Sequence, residues 1–560
     1  MYSDKENINI LTSLLVAHGV NKAVVCPGSR NAPIVHNLNE HPGIECYPVT
    51  DERSAGFYAL GLAQATRKPV VVCVTSGTAL LNLAPSVAEA FYQHIPLVVV
   101  SADRPSAWID QLDGQTLPQS DALGRFVGCA VCLPEPNDDT SRWYCNRLVN
   151  EALYASKGVQ PQPVHINVPI SEPLFQFSQP DLPAQRIVKR MVLDVSTKAN
   201  KVSPDNVFSA ASRPMIIIGQ TAFGDVPHDL FEQCSSVVTT LAEPLAQEHG
   251  AIPFDEVLHA VGAHNDYMPD AVCYVGDTIV SKRLRKFLRK SGARTVMITV
   301  GSNRWADPTE HLCEVVECSD WTMAACVLRS MLADIDTQSK LFYDRWQQAL
   351  LAADGVKAEY MPKYSQMAAV KYFEEQLEDF ETDFFVHYAN SSVVRLANIY
   401  ATHYVWCNRG VNGIEGSLST AAGFSLAKDD DSFVFCIIGD LSFFYDQNAL
   451  WNQNLKGNLR IILLNNHGGG IFRQLKGLSD SDAAITLVGA AHNTEAQGIC
   501  TQNDIGYLKA TCMEEMQIGI VTLLTREASR PMVLEIMTCG DDDAEAVRNY
   551  YAKVKEKLQN

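Results

Sequence analysis

Short unbroken apolar runs recur along this chain, separated by segments of helical spacing. Residues 70–75, 97–101, 433–438 and 459–464 are strand-sized, rich in Val, Ile and Leu, and do not alternate with polar residues. A strand that is apolar on both faces must be covered on both, which is the condition of a parallel sheet flanked by helices. The runs fall into three groups. The first reads as helix 8–18, strand 22–26 ended by Pro27-Gly28, helix 52–66, strand 70–75, helix 79–92 and strand 97–101. The second has strands at 215–219, 236–240, 271–276 and 295–301, and the third at 384–387, 405–407, 433–438 and 459–464. The Pro-rich stretch 161–183 and the polar stretch 354–365 read as links. The expected class is α/β, with three doubly wound parallel-sheet domains at 1–182, 183–355 and 356–560.

The first and last groups can be overlaid. Cys73 to Pro96 and Cys436 to Leu459 cover the same distance along the chain, each spanning strand, helix and next strand. Ala55-Gly56 and Ala422-Gly423 precede them. The pattern reads as two copies of one fold; the alternative is that any two doubly wound domains share such spacing.

Composition narrows the function. Lys and Arg total 45 against 64 Asp and Glu, a net charge of −19. That field repels nucleic acid and anionic membranes, so neither is an expected partner, and any anion site must be made positive locally. The chain has no apolar run of membrane-spanning length, and its first residues lack the apolar core of a signal peptide. Its 16 cysteines are scattered, several within strand-like runs (Cys26, Cys73, Cys273, Cys436), as in a reducing cytoplasm. Cys129-x-x-Cys132 has no second pair at zinc spacing. His36, His94, His165 and His387 show no metal spacing either. A phosphate-binding loop of the G-x-x-x-x-G-K-[ST] kind is absent.

The sharpest constellation is Gly439-Asp440, then 24 residues that read as a helix and the next strand, then Asn465-Asn466. Both pairs sit at carboxyl ends of predicted parallel strands, the edge where open α/β sheets bind ligands. A carboxylate and an amide oxygen there suit Mg²⁺, a hard cation commonly shared with phosphate. His467-Gly468-Gly469-Gly470 follows, and glycines let backbone approach a diphosphate. The structural alternative is that Gly-Asp ends a strand and Asn-Asn makes a turn.

This signature resembles that of the thiamine diphosphate enzymes. The resemblance implies thiamine diphosphate and Mg²⁺, with Mn²⁺ as an alternative ion, the metal being held by Asp440, Asn466 and the Gly468 backbone. It implies that Glu52, in Thr50-Asp51-Glu52-Arg53-Ser54-Ala55-Gly56, bonds the aminopyrimidine and promotes its imino tautomer. The alternative for Glu52 is a favourable charge in a helix's first turn. Gly439-Asp440-Leu441 replaces the usual Gly-Asp-Gly. That form, with Cys26-Pro27-Gly28-Ser29-Arg30, Ser101-Ala102-Asp103-Arg104-Pro105, Asn390-Ser391-Ser392-Val393-Val394-Arg395, Asn408-Arg409-Gly410 and Gly469-Gly470-Ile471-Phe472, is similar to the carboligase branch serving menaquinone biosynthesis.

The branch implies an enzyme that decarboxylates 2-oxoglutarate and adds the succinyl carbanion equivalent 1,4 to isochorismate, working as a homodimer or dimer of dimers. By resemblance, Ser29 and Arg30 join Glu52 as catalytic residues. Ser391, Ile414, Gly439, Leu441 and Ser442 complete the cofactor site, with Ile414 holding the cofactor bent. Arg30, Arg104, Gln115, Lys282, Arg395, Arg409, Ile471 and Phe472 are expected at the substrates. Both substrates are dicarboxylates, and Arg holds a carboxylate by two parallel hydrogen bonds. After Arg104 many members read Gly-Ala-x-Gln; here Asp113-Gly114-Gln115-Thr116 stands there, and Gln115 is expected to keep the glutamine's role. The rival readings are another thiamine diphosphate 2-oxo acid decarboxylase, an acetohydroxy acid synthase-like enzyme, or a non-catalytic protein that kept the fold.

Overall fold

The computed structural model describes residues 1–189, 208, 211–246, 250–262, 264–302, 304–333, 335, 339–474, 477–478 and 481–559. Its strands are β1 (Lys22–Val25), β2 (Glu45–Pro48), β3 (Val70–Val74), β4 (Leu97–Asp103), β5 (Cys129–Cys132) and β6 (Val164–Pro169) in the first block. The middle block has β7 (Pro214–Ile218), β8 (Thr239–Ala242), β9 (Ala271–Val275), β10 (Arg294–Val300) and β11 (Leu312–Cys318). The last has β12 (Phe384–Tyr388), β13 (Val405–Trp406), β14 (Phe433–Gly439), β15 (Leu459–Asn465), β16 (Gly506–Ala510) and β17 (Met532–Met537). All pairings between these strands are parallel.

The first sheet has the order β2-β1-β3-β4-β6-β5 and the last β13-β12-β14-β15-β17-β16, the same permutation. The middle sheet runs β11-β10-β9-β7-β8. The repeated order supports two copies of one fold more firmly than chain spacing does. In register Val70 faces Leu97 whereas Val434 faces Leu459, so the equal spacing seen in sequence does not mark equivalent residues.

The two copies also pack together. Helix Glu52–Thr66 crosses helix Ser417–Ser425 backbone to backbone. A Cβ on Gly61 would stand 2.0 Å from the Thr420 carbonyl oxygen, and one on Gly423 2.1 Å from that of Tyr58. The Ala-Gly pairs therefore have different partners, since a Cβ on Gly56 would stand 2.1 Å from the Ser86 hydroxyl of its own block.

Three local readings need correction. The helix expected at 79–92 is two, Thr78–Asn82 and Ala84–Tyr92, because Pro85 lacks the N–H a continuous helix needs and suits a first turn. The stretch 161–183 is not merely a link: β6 lies inside it, between β4 and β5. Its His165 and Asn167 disguise it in sequence, but both are buried in a polar network with Ser101, at 2.7 and 2.8 Å. Residues 354–359 of the other proposed link end the long helix Lys340–Glu359.

Candidate active site

At the carboxyl edge of the last sheet, β14 ends on Gly439 and helix Asp440–Tyr445 begins at once. Gly439 pairs with Leu464, so Asn465 and Asn466 leave β15 beside Asp440. Asp440 is 3% exposed. Its Oδ1 accepts the Leu441 N–H at 2.7 Å and its Oδ2 the Gly468 N–H at 2.8 Å, with His492 Nε2 3.4 Å from Oδ2. Burial pushes this carboxyl up, opposed by those N–H bonds.

The two asparagines divide their labour. Asn465 is fully buried and donates Nδ2 to Glu535 Oε1 at 2.7 Å and to the Thr494 carbonyl at 3.0 Å. Asn466 donates Nδ2 to Asp543 Oδ2 at 2.9 Å, so its amide oxygen faces the other way. The glycine turn closes on itself: Gly469 N–H reaches the Gly489 carbonyl at 2.7 Å and Gly470 N–H the Gly468 carbonyl at 3.0 Å. A Cβ on Gly470 would stand 2.7 Å from Asn466 Nδ2. A cavity of about 210 Å³ opens here, lined by Asn466, Gly468 and Phe472 among others. Ile471, also half-buried, precedes Phe472 in the turn Gly470–Gln474. Leu441 and the buried Ser442 lie in the first turn after Asp440.

Among the described residues no three His, Cys, Asp or Glu side chains are grouped to hold a metal. The donors gathered here are instead a buried carboxylate, a free amide oxygen and a backbone carbonyl. An all-oxygen set of this kind fits Mg²⁺.

Next to this edge, β12 pairs with β14, Tyr388 opposite Ile437. The turn after it holds Asn390, whose Nδ2 donates to the carbonyls of Asn408 at 2.6 Å and Gly413 at 2.7 Å. Ser391 follows at φ 78°, a left-handed position a non-glycine residue occupies at a cost. Arg395, on helix Ser392–Tyr400, donates Nη1 to the Ser391 carbonyl. Arg409, 6% exposed, donates Nη1 to Asn390 Oδ1 at 3.0 Å, and its buried Nε has no partner. Burial and the neighbouring Arg409 hold the Arg395 guanidinium below its ordinary range. Two adjacent, partly desolvated cations with an unpartnered N–H are groups that could receive an anion.

Two buried carboxylates brace this region. Glu89, on helix Ala84–Tyr92 of the first block, accepts the N–H groups of Gly410 and Val411, each at 2.7 Å. Glu243, just past β8, accepts those of Val280 at 2.6 Å and Ser281 at 2.8 Å, and Asn398 Nδ2 at 3.0 Å. Burial pushes both carboxyls up, and Arg409 pulls both down. Lys282 is exposed at the start of helix Lys282–Ser291. Ile414, 40% exposed, stands on the loop after Arg409.

In the first block Ser29 is exposed and Arg30 buried, both past β1. Arg30 donates Nη1 to the Ile170 carbonyl at 3.0 Å and pairs with Glu172 at 3.1 Å. Arg104 lies 3.8 Å from Asp113, and its buried Nε has no partner. Glu52 opens its helix, but Asp51 is the cap, accepting the N–H groups of Arg53 at 2.9 Å and Ser54 at 3.2 Å. The helix end thus needs no further help from Glu52, whose charge pushes the Cys26 thiol up, second to burial. Gln115 is exposed at φ 62°. The buried glutamine is Gln119, which accepts the Gly77 N–H at 2.7 Å and donates to Asn167 at 2.8 Å.

The structure gathers Gly439, Asp440, Leu441, Ser442, Asn466, Gly468 and Phe472 at one edge, with Ser391, Arg395 and Arg409 beside it. No hydrogen bond or ion pair among the described residues joins Glu52, Arg30 or Arg104 to Asp440 or Asn466 within one chain. Arg53 instead bonds the Tyr445 carbonyl at 2.7 Å, at the end of helix Asp440–Tyr445 away from Asp440. Glu89, Glu243 and Gln119 were missed in the sequence, where each looks like an ordinary polar residue. A second cavity, about 380 Å³ and lined by all three blocks, contains none of the expected residues.

Residues 8–123 match the family model "Thiamine pyrophosphate enzyme, N-terminal TPP binding domain", and residues 390–536 match "Thiamine pyrophosphate enzyme, C-terminal TPP binding domain". Among curated proteins, one from Bacteroides thetaiotaomicron is 41% identical, over 100% of both chains. One from Phocaeicola vulgatus is 40% identical over the same share. One from Flavobacterium johnsoniae is 31% identical over 96% of this chain and 97% of its own. Each is named 2-succinyl-5-enolpyruvyl-6-hydroxy-3-cyclohexene-1-carboxylate synthase.

Proposed function

Because the chain belongs to the family of 2-succinyl-5-enolpyruvyl-6-hydroxy-3-cyclohexene-1-carboxylate synthases, thiamine pyrophosphate enzymes by both domain models, we propose that it joins 2-oxoglutarate, after decarboxylation, to isochorismate in menaquinone biosynthesis. The observation that carries the substrate class is the Arg395–Arg409 pair, the first half-buried and the second buried, bonded to the adjacent residues Ser391 and Asn390 next to the Asp440–Asn466 edge. A small monoanionic 2-oxo acid would leave that pair without a second anion to hold.

Asp440, the Asn466 amide oxygen and the Gly468 carbonyl hold Mg²⁺ in this reading, with Ser391, Gly439, Leu441 and Ser442 around the diphosphate. Bound there, thiamine diphosphate supplies the carbon centre at which a 2-oxo acid loses CO₂ and becomes a nucleophile. The chain's own groups do the rest. Glu52 holds or releases a proton at the aminopyrimidine, with Ser29 and Arg30 beside it. Ile414 sets the cofactor's bend. Ile471 and Phe472 exclude water, which protects a carbanion equivalent from simple protonation. Arg395, Arg409 and Lys282 hold the far carboxylate of 2-oxoglutarate, and Arg30, Arg104 and Gln115 engage isochorismate.

Assembly follows from where these groups lie. Among the described residues no hydrogen bond or ion pair joins Glu52 to Asp440 within one chain, and in this reading a complete site pairs Glu52 of one protomer with Asp440 of its partner across a two-fold axis. The exposed apolar residues Val411 and Ile414 support such a covered face. No helix among the described residues is long and apolar enough to cross a membrane, and all 16 cysteines are free, which supports a reducing cytoplasm.

The test is incubation of the purified chain with 2-oxoglutarate, isochorismate, thiamine diphosphate and Mg²⁺, followed by mass spectrometry of the product. The adduct of a four-carbon succinyl unit with isochorismate is expected. Turnover of pyruvate alone, with no such adduct, would replace this reading by that of a different thiamine enzyme.

A further inference from the structure

Glu243, in the middle block, reaches both the turn before Lys282 and the helix bearing Arg395. It leaves β8 and is 3% exposed, yet its oxygens receive three donors. Oε2 accepts the Val280 N–H at 2.6 Å; Oε1 accepts the Ser281 N–H at 2.8 Å and Asn398 Nδ2 at 3.0 Å. Val280 and Ser281 are the two residues before Lys282, and the Ser281 hydroxyl caps that helix by accepting the Leu284 N–H at 3.0 Å. Asn398 lies one turn beyond Arg395 on helix Ser392–Tyr400. Through one side chain, the turn feeding Lys282 is thus fastened to the helix that carries Arg395. Arg409 is close enough for its charge to act on the same carboxylate.

The geometry points to Glu243 as a positioning residue for the dicarboxylate pocket: it fixes Lys282, from the middle block, against Arg395, from the last. This rests on the reading of Arg395, Arg409 and Lys282 as the receptor for the far carboxylate of 2-oxoglutarate. A long, exposed lysine side chain gains little from an anion if its backbone wanders, because ordering it costs entropy. A buried clamp on residues 280–281 removes that cost before the substrate arrives.

Glu243→Gln keeps the shape and tests the claim. The glutamine oxygen takes the Oε1 place, where two donors converge, so its Nε2 meets the Val280 N–H and that bond is lost. In 2-oxoglutarate decarboxylation by the wild type and the variant, KM should rise about 5- to 150-fold, the range for one unsatisfied buried donor. The kcat, and the affinity for thiamine diphosphate by calorimetry, should stay within about threefold. The Glu243→Gln/Lys282→Ala double variant should be no worse than Lys282→Ala alone, since the first change acts through the second residue. Asn398→Ala, which leaves the turn intact and removes one donor, should raise KM in the same sense by less, and it decides the question if Glu243→Gln does not fold. An unchanged KM, a fall in kcat and cofactor affinity together, or additive effects of the two changes would each overturn the inference while the function stands. A wild type that does not decarboxylate 2-oxoglutarate would instead overturn the functional reading, and this inference with it.

Discussion

Replacing Glu89 by Gln should loosen a single amide on the loop that carries Arg409 and Ile414. Glu89 is 3% exposed and faces donors on every side. Its Oε1 accepts the Gly410 N–H at 2.7 Å and also Gln93 Nε2, whereas Oε2, among the described residues, accepts only the Val411 N–H, at 2.7 Å. A glutamine here turns its oxygen to the place with two donors. Its Nε2 then points at the Val411 N–H, which loses its acceptor, and the Nε2 is itself left unsatisfied at a buried position. That costs about 1–3 kcal/mol, or roughly 5- to 150-fold in an equilibrium constant. Hydrogen exchange read by mass spectrometry or NMR measures it without any substrate. Exchange at Val411 should accelerate by that factor while Gly410, which keeps its acceptor, changes little. Catalysis should suffer too, because Arg409 loses a buried countercharge and its loop an anchor. Unchanged protection at Val411 would refute the account of Glu89 as the loop's clamp. Equal acceleration at both amides and across β3 and β4 would show a general loss of stability instead.

Asp440→Ala should weaken Mg²⁺-dependent binding of thiamine diphosphate by more than about tenfold in calorimetric titration, because the cation loses the carboxylate assigned to it. Unchanged affinity would remove Asp440 from the metal site. Arg409→Ala should cost about 10- to 150-fold in kcat/KM for 2-oxoglutarate, the worth of a charge-assisted bond, and narrow its preference over pyruvate; kinetics with both acids decide this. Mixing Glu52→Ala with Asp440→Ala chains should restore about a quarter of wild-type activity, since half of the dimers are hybrids with one intact site; no recovery argues for a site within one chain. Burial pushes the carboxyl of Asp446 up to about 7 despite its bonds from Ser419 at 2.7 and 2.8 Å. Between about pH 4 and 7 the unfolded chain has lost this proton while the folded one keeps it, so stability falls as pH rises and levels above 7, by at most about 4 kcal/mol. Asp446→Asn should abolish that loss, and its melting temperature should gain on the wild type from pH 5 to pH 8.

Much of the fold was legible because its signals are local. Unbroken runs such as 70–75 and 433–438 announce strands covered on both faces, and Gly439-Asp440 and Asn465-Asn466 stand at the strand ends where a parallel sheet must present them. β6 was hidden because its His165 and Asn167 satisfy each other's neighbourhood only after β4 has brought Ser101 alongside. The helix at 79–92 was misread although Pro85 was in view, since Pro is tolerated in the first turn of a second helix as well as outside one.

The sequence by itself determined which backbone segments alternate, which strand ends carry the carboxylate, amide and glycines, and which family those residues resemble. These follow from periodicity and from chemistry within a few residues. Only the tertiary structure decided that Gly61 and Gly423 are contact points between two blocks, that Arg395 and Arg409 lie side by side, and that Glu89 and Glu243 hold the loops feeding them. Those pairs are separated by more than 300 residues in some cases, as with Glu89 and Gly410, whose separation is 321. No local preference encodes such a contact; it exists because burying the facing sheets and helices leaves each of these polar groups one place in which its hydrogen bonds can be made.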